Sequence, residues 1–239
     1  MAELAHDDVT VVVPAYNAAE TIERTLRSIT SQSERRPHLL VIADASTDET
    51  AALAAQLGAT VLPGGGTGPG GARNIGIHNT VTPLVAFCDA DDEWTKGRLD
   101  DDLDHFRASP DTDILLGTSR YETDDPALLD GHNFDNDDRC ALIPHFGAAT
   151  IRTDVFASVG TIDSGRRNYE DYEFFQRARD LGATIVEHAR VAQVRHLIAT
   201  SASHQHPASP PDLLAVLRES VQRRRTSDTP TRDNEMKRP

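Results

Sequence analysis

Only two cysteines occur in the 239 residues, Cys88 and Cys140, and they have no metal-ligand spacing. A disulfide scaffold is therefore excluded, and a reducing, cytoplasmic setting is the expectation. No apolar stretch approaches the roughly 20 residues of a membrane span. The first residues, Met1 to Asp8, are acidic and lack the apolar core of a secretion signal. Basic residues are scarce too: 24 Lys and Arg stand against 38 Asp and Glu, for a formal net charge of -14. Such a chain repels phosphate backbones and anionic lipid, which argues against nucleic-acid binding and peripheral membrane attachment. One phosphorylated ligand is still allowed if a cation bridges the charges. The hydrophobic fraction of 38% is low, so part of the chain is expected to be loop-rich or unfolded around one substantial core. No P-loop Gly-Lys-Ser/Thr and no internal repeat are present.

What is there alternates strand with helix. Val9 to Val13 is a β-branched run leaving through Pro14-Ala15-Tyr16-Asn17, and Ile22, Leu26 and Ile29 lie at helical spacing within 18–32. His38 to Ala43 is a second strand. After Asp44, Ser46 and Glu49 make a capping-box pattern for a helix that runs to Leu57 and ends at Gly58. Residues 59–62 form a third strand, and the succession is that of a parallel α/β sheet. The stretch from Pro63 to Gly76 is glycine-rich. Its G-x-G-x-x-G match at Gly66, Gly68 and Gly71 is weak evidence for a dinucleotide site, because that fingerprint belongs after the first strand. The glycines let backbone approach a ligand, and Arg73 near the start of the next helix is placed to meet a phosphate. The alternative is a flexible loop with a surface arginine.

The chain is organised around Phe87-Cys88-Asp89-Ala90-Asp91-Asp92-Glu93-Trp94, where an uncharged strand over 81–88 runs abruptly into carboxylates. If the backbone stays extended, Asp89 and Asp91 point to one side. Two converging carboxylates repel unless a cation sits between them, and an oxygen-rich site suits Mg²⁺ or Mn²⁺. The alternative is an acidic loop in which Asp91 or Asp92 starts the next helix. Further on, a helix is predicted over 96–108 and a strand over 113–117. A polar loop over 121–139 follows, of the kind that serves as a lid or binding loop. Packed segments are expected at 146–151 and 155–159, and a helix opening at Asn168-Tyr169-Glu170-Asp171-Tyr172. Strands at 184–187 and 191–194 lead into Arg195-His196. A helix over 213–225 precedes an end expected to be disordered from 226. Trp94, the single tryptophan, is either a platform for a sugar ring or packing at a helix start.

Five motifs in order carry a resemblance: Val11-Val12-Val13-Pro14-Ala15-Tyr16-Asn17, Ala43-Asp44-Ala45-Ser46-Thr47-Asp48, Gly71-Ala72-Arg73-Asn74-x-Gly76, Asp89-Ala90-Asp91-Asp92 and Glu170-Asp171. The set resembles the family 2 glycosyltransferases of GT-A fold, over roughly residues 9–203. The implied architecture is α/β, Rossmann-like, with a mostly parallel central sheet flanked by helices in a single domain with a C-terminal extension. A GT-A domain would occupy 1–203, with its nucleotide-binding part about 9–110 and its acceptor part about 111–203. The extension, 204–239, would be partly helical. The implied activity is metal-dependent, inverting transfer of a sugar from a nucleotide-diphosphate donor, UDP-sugar favoured. The acceptor, a small molecule, peptide or glycan, is unidentified, and oligomerisation is left open.

The resemblance also implies roles. Pro14, Ala15 and Tyr16 line the nucleotide pocket, and Asp44 accepts from the base. Gly71 and Arg73 lie near base and phosphates. Asp89 reaches the ribose or a metal-bound water, Ala90 lines the nucleotide-sugar site, and Asp91, with Asp89, holds Mn²⁺ or Mg²⁺, while His196 completes the metal shell or touches the diphosphate. Asp171, with Glu170 beside it, supplies the catalytic base. Against these stand two plain readings, first-turn helix acidity for Glu170-Asp171 and a structural role for His196. Ala43 replaces an acid common in the family, and the Gln-x-x-Arg-Trp motif of processive synthases is absent. A catalytically degenerate GT-A protein that only binds nucleotide sugar or a partner is the rival reading. A nucleotidyltransferase is disfavoured, since no glycine-rich phosphate loop follows the first strand.

Overall fold

Strands that are apolar on both sides must be covered on both faces, and the central ones here are. The computed structural model describes residues 4–33, 36–130, 132, 134–136, 138–166, 168–198 and 210–227. Strand β1 (Val9–Ala15) is buried at every position. It pairs in parallel with β2 (His38–Ala43) and β4 (Leu84–Phe87), and β2 pairs in parallel with β3 (Thr60–Pro63). Beyond β4 come β8 (Ala149–Arg152), antiparallel to it, then β6 (Ile114–Glu122), β9 (Ile185–His196) and β5 (Glu93–Trp94), while β7 (Cys140–Ala141) pairs with β6. The result is one mixed, largely parallel sheet of nine strands.

Two cores follow from the period-2 alternation of the strands. Val9, Val11 and Val13 face α1 (Ile22–Thr30), α2 (Thr50–Gln56) and α4 (Arg98–Ala108), through Leu26, Ile29, Leu99, Leu103 and Phe106. Val12, Leu40, Ile42 and Phe87 face α3 (Gly68–His78), α5 (Val155–Val159) and α6 (Glu170–Asp180), through Ala72, Ile77, Val155, Phe174 and Phe175. A last helix, α7 (Pro210–Ser227), lies along α6, with Arg223 and Arg224 on Asp180. Among the described residues no helix is long and apolar enough to cross a membrane.

Several expectations need correction. The two strands predicted at 184–187 and 191–194 are one strand, because β9 keeps pairing with β6 through a register shift near Gly117. A Cβ at Gly117 would come within 2.5 Å of Ala192, so only glycine permits that approach. Tyr121 and Glu122, read as loop, close β6, and Tyr121 packs with Ala141 and Leu197. The Ser46–Glu49 capping box does not form. Asp48 instead accepts from the Thr50 N–H, while the Ser46 hydroxyl serves the β1 exit. Gly58 does end α2, with φ +88. Trp94 is core rather than a platform: it is 4% exposed, donates through its indole to the Phe87 carbonyl and stacks on Arg98. The predicted disorder lies beyond 227, outside the described residues, except at Thr226 and Ser227 of α7.

Gly76 sets how closely α3 approaches the sheet, since a Cβ there would lie 2.2 Å from Cγ1 of Val12. Gly76→Ala gains about 1 kcal/mol of helix propensity but overpacks a buried strand at a cost of about 1–3 kcal/mol or more. A lower urea midpoint is expected for Gly76→Ala. A raised midpoint would mean that α3 does not seat on β1 in this way.

Candidate active site

The parallel strands deliver their carboxyl ends to one edge, the place where open α/β sheets bind ligands. Pro14 and Ala15 end β1 buried, and the next residue, Tyr16, is 67% exposed. Three non-glycine residues at this edge hold positive φ: Asn17 (46) after β1, Ala45 (61) after β2 and Tyr169 (60) before α6. Such strain persists only where surroundings over-determine it. Here the Asn17 N–H donates to Ser46 Oγ and the Asn17 carbonyl oxygen of the side chain accepts from the Thr47 N–H, lacing the two strand exits together.

Asp44 holds the glycine-rich segment. Its carboxylate accepts from the N–H groups of Gly66 (2.7 Å), Thr67 (2.9 Å) and Gly68 (2.7 Å), at the orphan N-terminus of α3. Gly64 has no room for a Cβ, which would lie 2.4 Å from Asp44 Oδ1. The segment is therefore an organised turn into a helix. Gly71 and Arg73 lie inside α3, and Arg73 is 2% exposed rather than a surface arginine.

Arg73 is surrounded by acids. Its Nη2 lies 2.6 Å from Asp89 Oδ1, and its Nη1 lies 3.4 Å from Glu170 Oε1 and 3.8 Å from Asp171 Oδ1. Burial opposes its charge, yet the three carboxylates hold the guanidinium above its ordinary pKa. Burial pushes Asp89 up, but Arg73, His145 and Arg195 together hold it well below the usual carboxylate range. Glu170 fares differently: burial and neighbouring Asp171 push it up to about 7.

The acid loop does not stay extended. After β4 it turns at Ala90-Asp91, with the Asp92 N–H on the Asp89 carbonyl, and the Asp89 charge still acts on Asp91. Thr21 and Thr25 place hydroxyls 2.8 and 2.9 Å from the Ala90 carbonyl, and Arg24 donates to the Asp91 carbonyl. Asp92 is 3% exposed. It accepts from the His196 N–H, and its Oδ2 faces Arg195 Nε at 3.5 Å. Asp92 starts no helix. His196 turns its Nε2 to Glu93 at 2.8 Å.

Asp91, unlike Asp89, Asp92 and Glu93 of the same loop, makes no ion pair with a basic side chain among the described residues. Burial and the nearby Asp89 charge raise its pKa. An oxygen donor of this kind, beside an already paired Asp89, fits a hard divalent cation that takes its other ligands from phosphate and water. Among the described residues no three His, Cys, Asp or Glu side chains form a complete metal cage.

The structure thus brings Arg73, Asp89, Glu170 and Asp171 into one cluster, with Ala90 and Asp91 on its rim and Asp44 organising the neighbouring turn. Sequence reasoning missed His145, whose Nε2 lies 3.6 Å from both Asp89 Oδ2 and Asp171 Oδ2. It also missed Arg195 and Gln193, both inner residues of β9. Arg195 carried a signal as a charge at a strand exit beside His196. His145, in an irregular segment before β8, carried none. Burial, reinforced by Arg195, lowers the His145 pKa to about 4.

Two measurements follow. Arg73→Met leaves three carboxylates facing one another without their cation, a loss of about 3–5 kcal/mol. Urea unfolding should show that loss in full at pH 8 and less of it at pH 5, where protonation replaces the missing charge. A pH-independent loss would contradict the pairing. Glu170 titrates at about 7 when folded, above its ordinary 4.5, so it binds its proton more tightly folded than unfolded. Its contribution is fully present below about 4.5 and declines as pH rises through about 7. Glu170→Gln should therefore raise the melting temperature relative to wild type at pH 8 and leave it nearly unchanged at pH 4.5. The opposite ordering would overturn the assignment.

Comparison with known proteins gives the family and the fold. The succinoglycan biosynthesis protein ExoO of Rhizobium meliloti is 38% identical over 96 residues, 38% of this chain and 28% of that protein. The putative teichuronic acid biosynthesis glycosyltransferase TuaG of Bacillus subtilis is 32% identical over 102 residues, 40% of each chain. The chain thus matches less than half the length of either curated relative. Among solved structures, S. aureus TarS in complex with UDP-GlcNAc superposes with a TM-score of 0.71 at 20% identity, covering 90% of this chain and 66% of that one. The mannosyltransferase PcManGT from Pyrobaculum calidifontis, in complex with GDP-Man and Mn²⁺, gives 0.64 at 18% identity over 92% and 72%. These likenesses show the GT-A fold. The Glycosyl transferase family 2 profile matches residues 10–172, and the chain belongs to that family.

Proposed function

We propose that this site transfers a sugar from a nucleoside-diphosphate donor, uridine the favoured base, to an acceptor hydroxyl with inversion at the anomeric carbon. The observation that carries the reading is the partition of the acids. Arg73 neutralises Asp89 and contacts Glu170 and Asp171, while Asp91 is left without a direct cationic side-chain partner at the rim. Asp91, with Asp89 beside it, would hold Mn²⁺ or Mg²⁺, which would supply positive charge against the diphosphate leaving group. TarS, in complex with UDP-GlcNAc, and PcManGT, in complex with GDP-Man and Mn²⁺, support a nucleotide-sugar donor and a divalent cation.

The chain's own residues do the rest. Pro14, Ala15 and Tyr16 form one wall for the base and ribose, with Asp44 and its glycine turn opposite. Arg73 fixes the carboxylates before the donor arrives, so little reorganisation is needed as charge develops. Asp171 takes the acceptor proton. Its Oδ2 is held by the Phe146 N–H at 3.0 Å, whereas Oδ1 has no hydrogen bond among the described residues. A carboxylate is a weak base toward a hydroxyl, so the proton moves only as the new bond acidifies it. His196 braces the acid loop through Glu93 and Asp92; as a cation ligand it would have to give up Glu93. Acceptor recognition is assigned to residues 111–203, above all the polar segment between β6 and β7. The two free cysteines fit a cytoplasmic setting.

Thermal shift against UDP-GlcNAc and GDP-mannose, with and without Mn²⁺, tests the donor assignment. At least one nucleotide sugar should stabilise the wild type more with Mn²⁺ than without. Asp91→Asn should abolish the Mn²⁺-dependent part, and Asp171→Asn should keep it. With the donor so identified, Asp171→Asn should slow nucleotide release about 100-fold or more. Unaltered release would leave only a nucleotide-sugar-binding protein.

A further inference from the structure

Candidates outside the motifs include the apolar stripe of Leu214, Leu217 and Val221 on α7, the open, 840 Å³ cavity between α1 and Glu93, and the buried His145. The stripe is exposed, and nothing in the described structure shows what covers it. The cavity mixes Glu20 and Glu23 with Arg24, Arg27 and Arg36, with no single ligand chemistry. His145 carries an inference.

Nδ1 of His145 lies 3.0 Å from the Gly147 N–H and 3.1 Å from Gln193 Nε2. A main-chain N–H can only donate, so Nδ1 must accept. A neutral imidazole then has a single place for its proton, Nε2. Nε2 faces two carboxylate oxygens at 3.6 Å each, Oδ2 of Asp89 and Oδ2 of Asp171. The same Asp171 oxygen already accepts from Phe146, the next residue. Gln193 is itself fixed, since its Nε2 also donates to Ser119 Oγ on β6. The loop is anchored from below as well, with Arg98 of α4 donating to the carbonyls of Gly147 and Ala149.

We infer that His145 is a positioning residue locked in its Nε2–H form, which with the Phe146 N–H clamps Oδ2 of Asp171 and leaves Oδ1 as the proton acceptor. The inference deepens the proposed transferase reading and rests on it for the role of Asp171. It assigns to His145 a donor's role. The histidine cannot act as the base, because the lone pair a base would need is committed to Gly147. Contacts of 3.6 Å in a site without ligand are the kind that tighten when substrate is bound.

Nitrogen-15 NMR of the histidine rings in the full chain, without ligand at pH 7.5, reads the tautomer. The expected spectrum for His145 has a protonated Nε2 and a pyridine-like Nδ1. A protonated Nδ1, or a doubly protonated ring, overturns the inference whatever the donor proves to be. A second arm measures nucleotide release from UDP-GlcNAc and from GDP-mannose with Mn²⁺. Gln keeps an N–H near the Nε2 position and an acceptor behind it, whereas Leu keeps only bulk. His145→Gln should stay within roughly threefold of wild type, and His145→Leu should lose kcat by roughly 10- to 100-fold, the usual cost of an outer supporting partner, with donor KM nearly unchanged. Equal impairment of both variants, or of neither, overturns the positioning role. Absence of release by the wild type from either sugar counts against the transferase reading, and the tautomer then decides on His145 alone.

Discussion

One buried guanidinium makes this site possible. Four carboxylates at the end of β4 and the start of α6 would drive the edge apart if left alone, since a buried charge without a partner costs several kcal/mol. Arg73 sits among three of them and is held by packing as well, with its guanidinium 5.4 Å from the ring of Phe146. It reaches that position from the middle of α3, and α3 lies close enough to the sheet only because Gly76 leaves room for Val12. Asp44 caps the same helix through three N–H groups. The motifs around Asp44, Gly71–Gly76, Asp89 and Glu170-Asp171, far apart in the chain, are therefore parts of one electrostatic arrangement.

The scaffold around this arrangement is stiff where the chemistry needs it to be. Trp94, buried beneath the acid loop, stacks on Arg98, and Arg98 in turn holds the loop that carries His145 and Phe146. At its far end α6 is braced by α7, where Arg223 and Arg224 meet the fully buried Asp180 side chain and Arg223 also approaches Glu173. Arg166, ahead of α6, pairs with Glu219 of α7. The carboxylates at the start of α6 thus belong to a helix fixed at both ends.

Strand and helix order were legible in the sequence because β-branched runs and helical spacing are local signals. So were the acids, since Asp89 and Asp91 stand where an apolar run stops and Glu170-Asp171 where a helix opens. What local patterns could not carry was where side chains point after a turn. The same-side placement of Asp89 and Asp91 holds for an extended chain, and the backbone instead turns at Ala90-Asp91. For Arg73 the sequence offered a phosphate contact or a surface residue in a glycine-rich loop, and only the three-dimensional convergence of its carboxylates accounts for its burial. For Trp94 the sequence left a sugar platform and helix-start packing open, and its burial under Arg98 decides for packing. His145 was invisible because the partners that give it a role, Gln193 and the two carboxylates, come from distant elements.

The central claim is that the acids are partitioned, with Asp89 paired to Arg73 and Asp91 reserved for a cation. Anomalous scattering from crystals grown with Mn²⁺ and UDP tests it most directly. The account predicts one manganese peak about 2.1 Å from an Asp91 carboxylate oxygen, with Asp89 still on Arg73. A peak displaced onto Asp92 or Glu93, or a manganese that draws Asp89 away from Arg73, would contradict it.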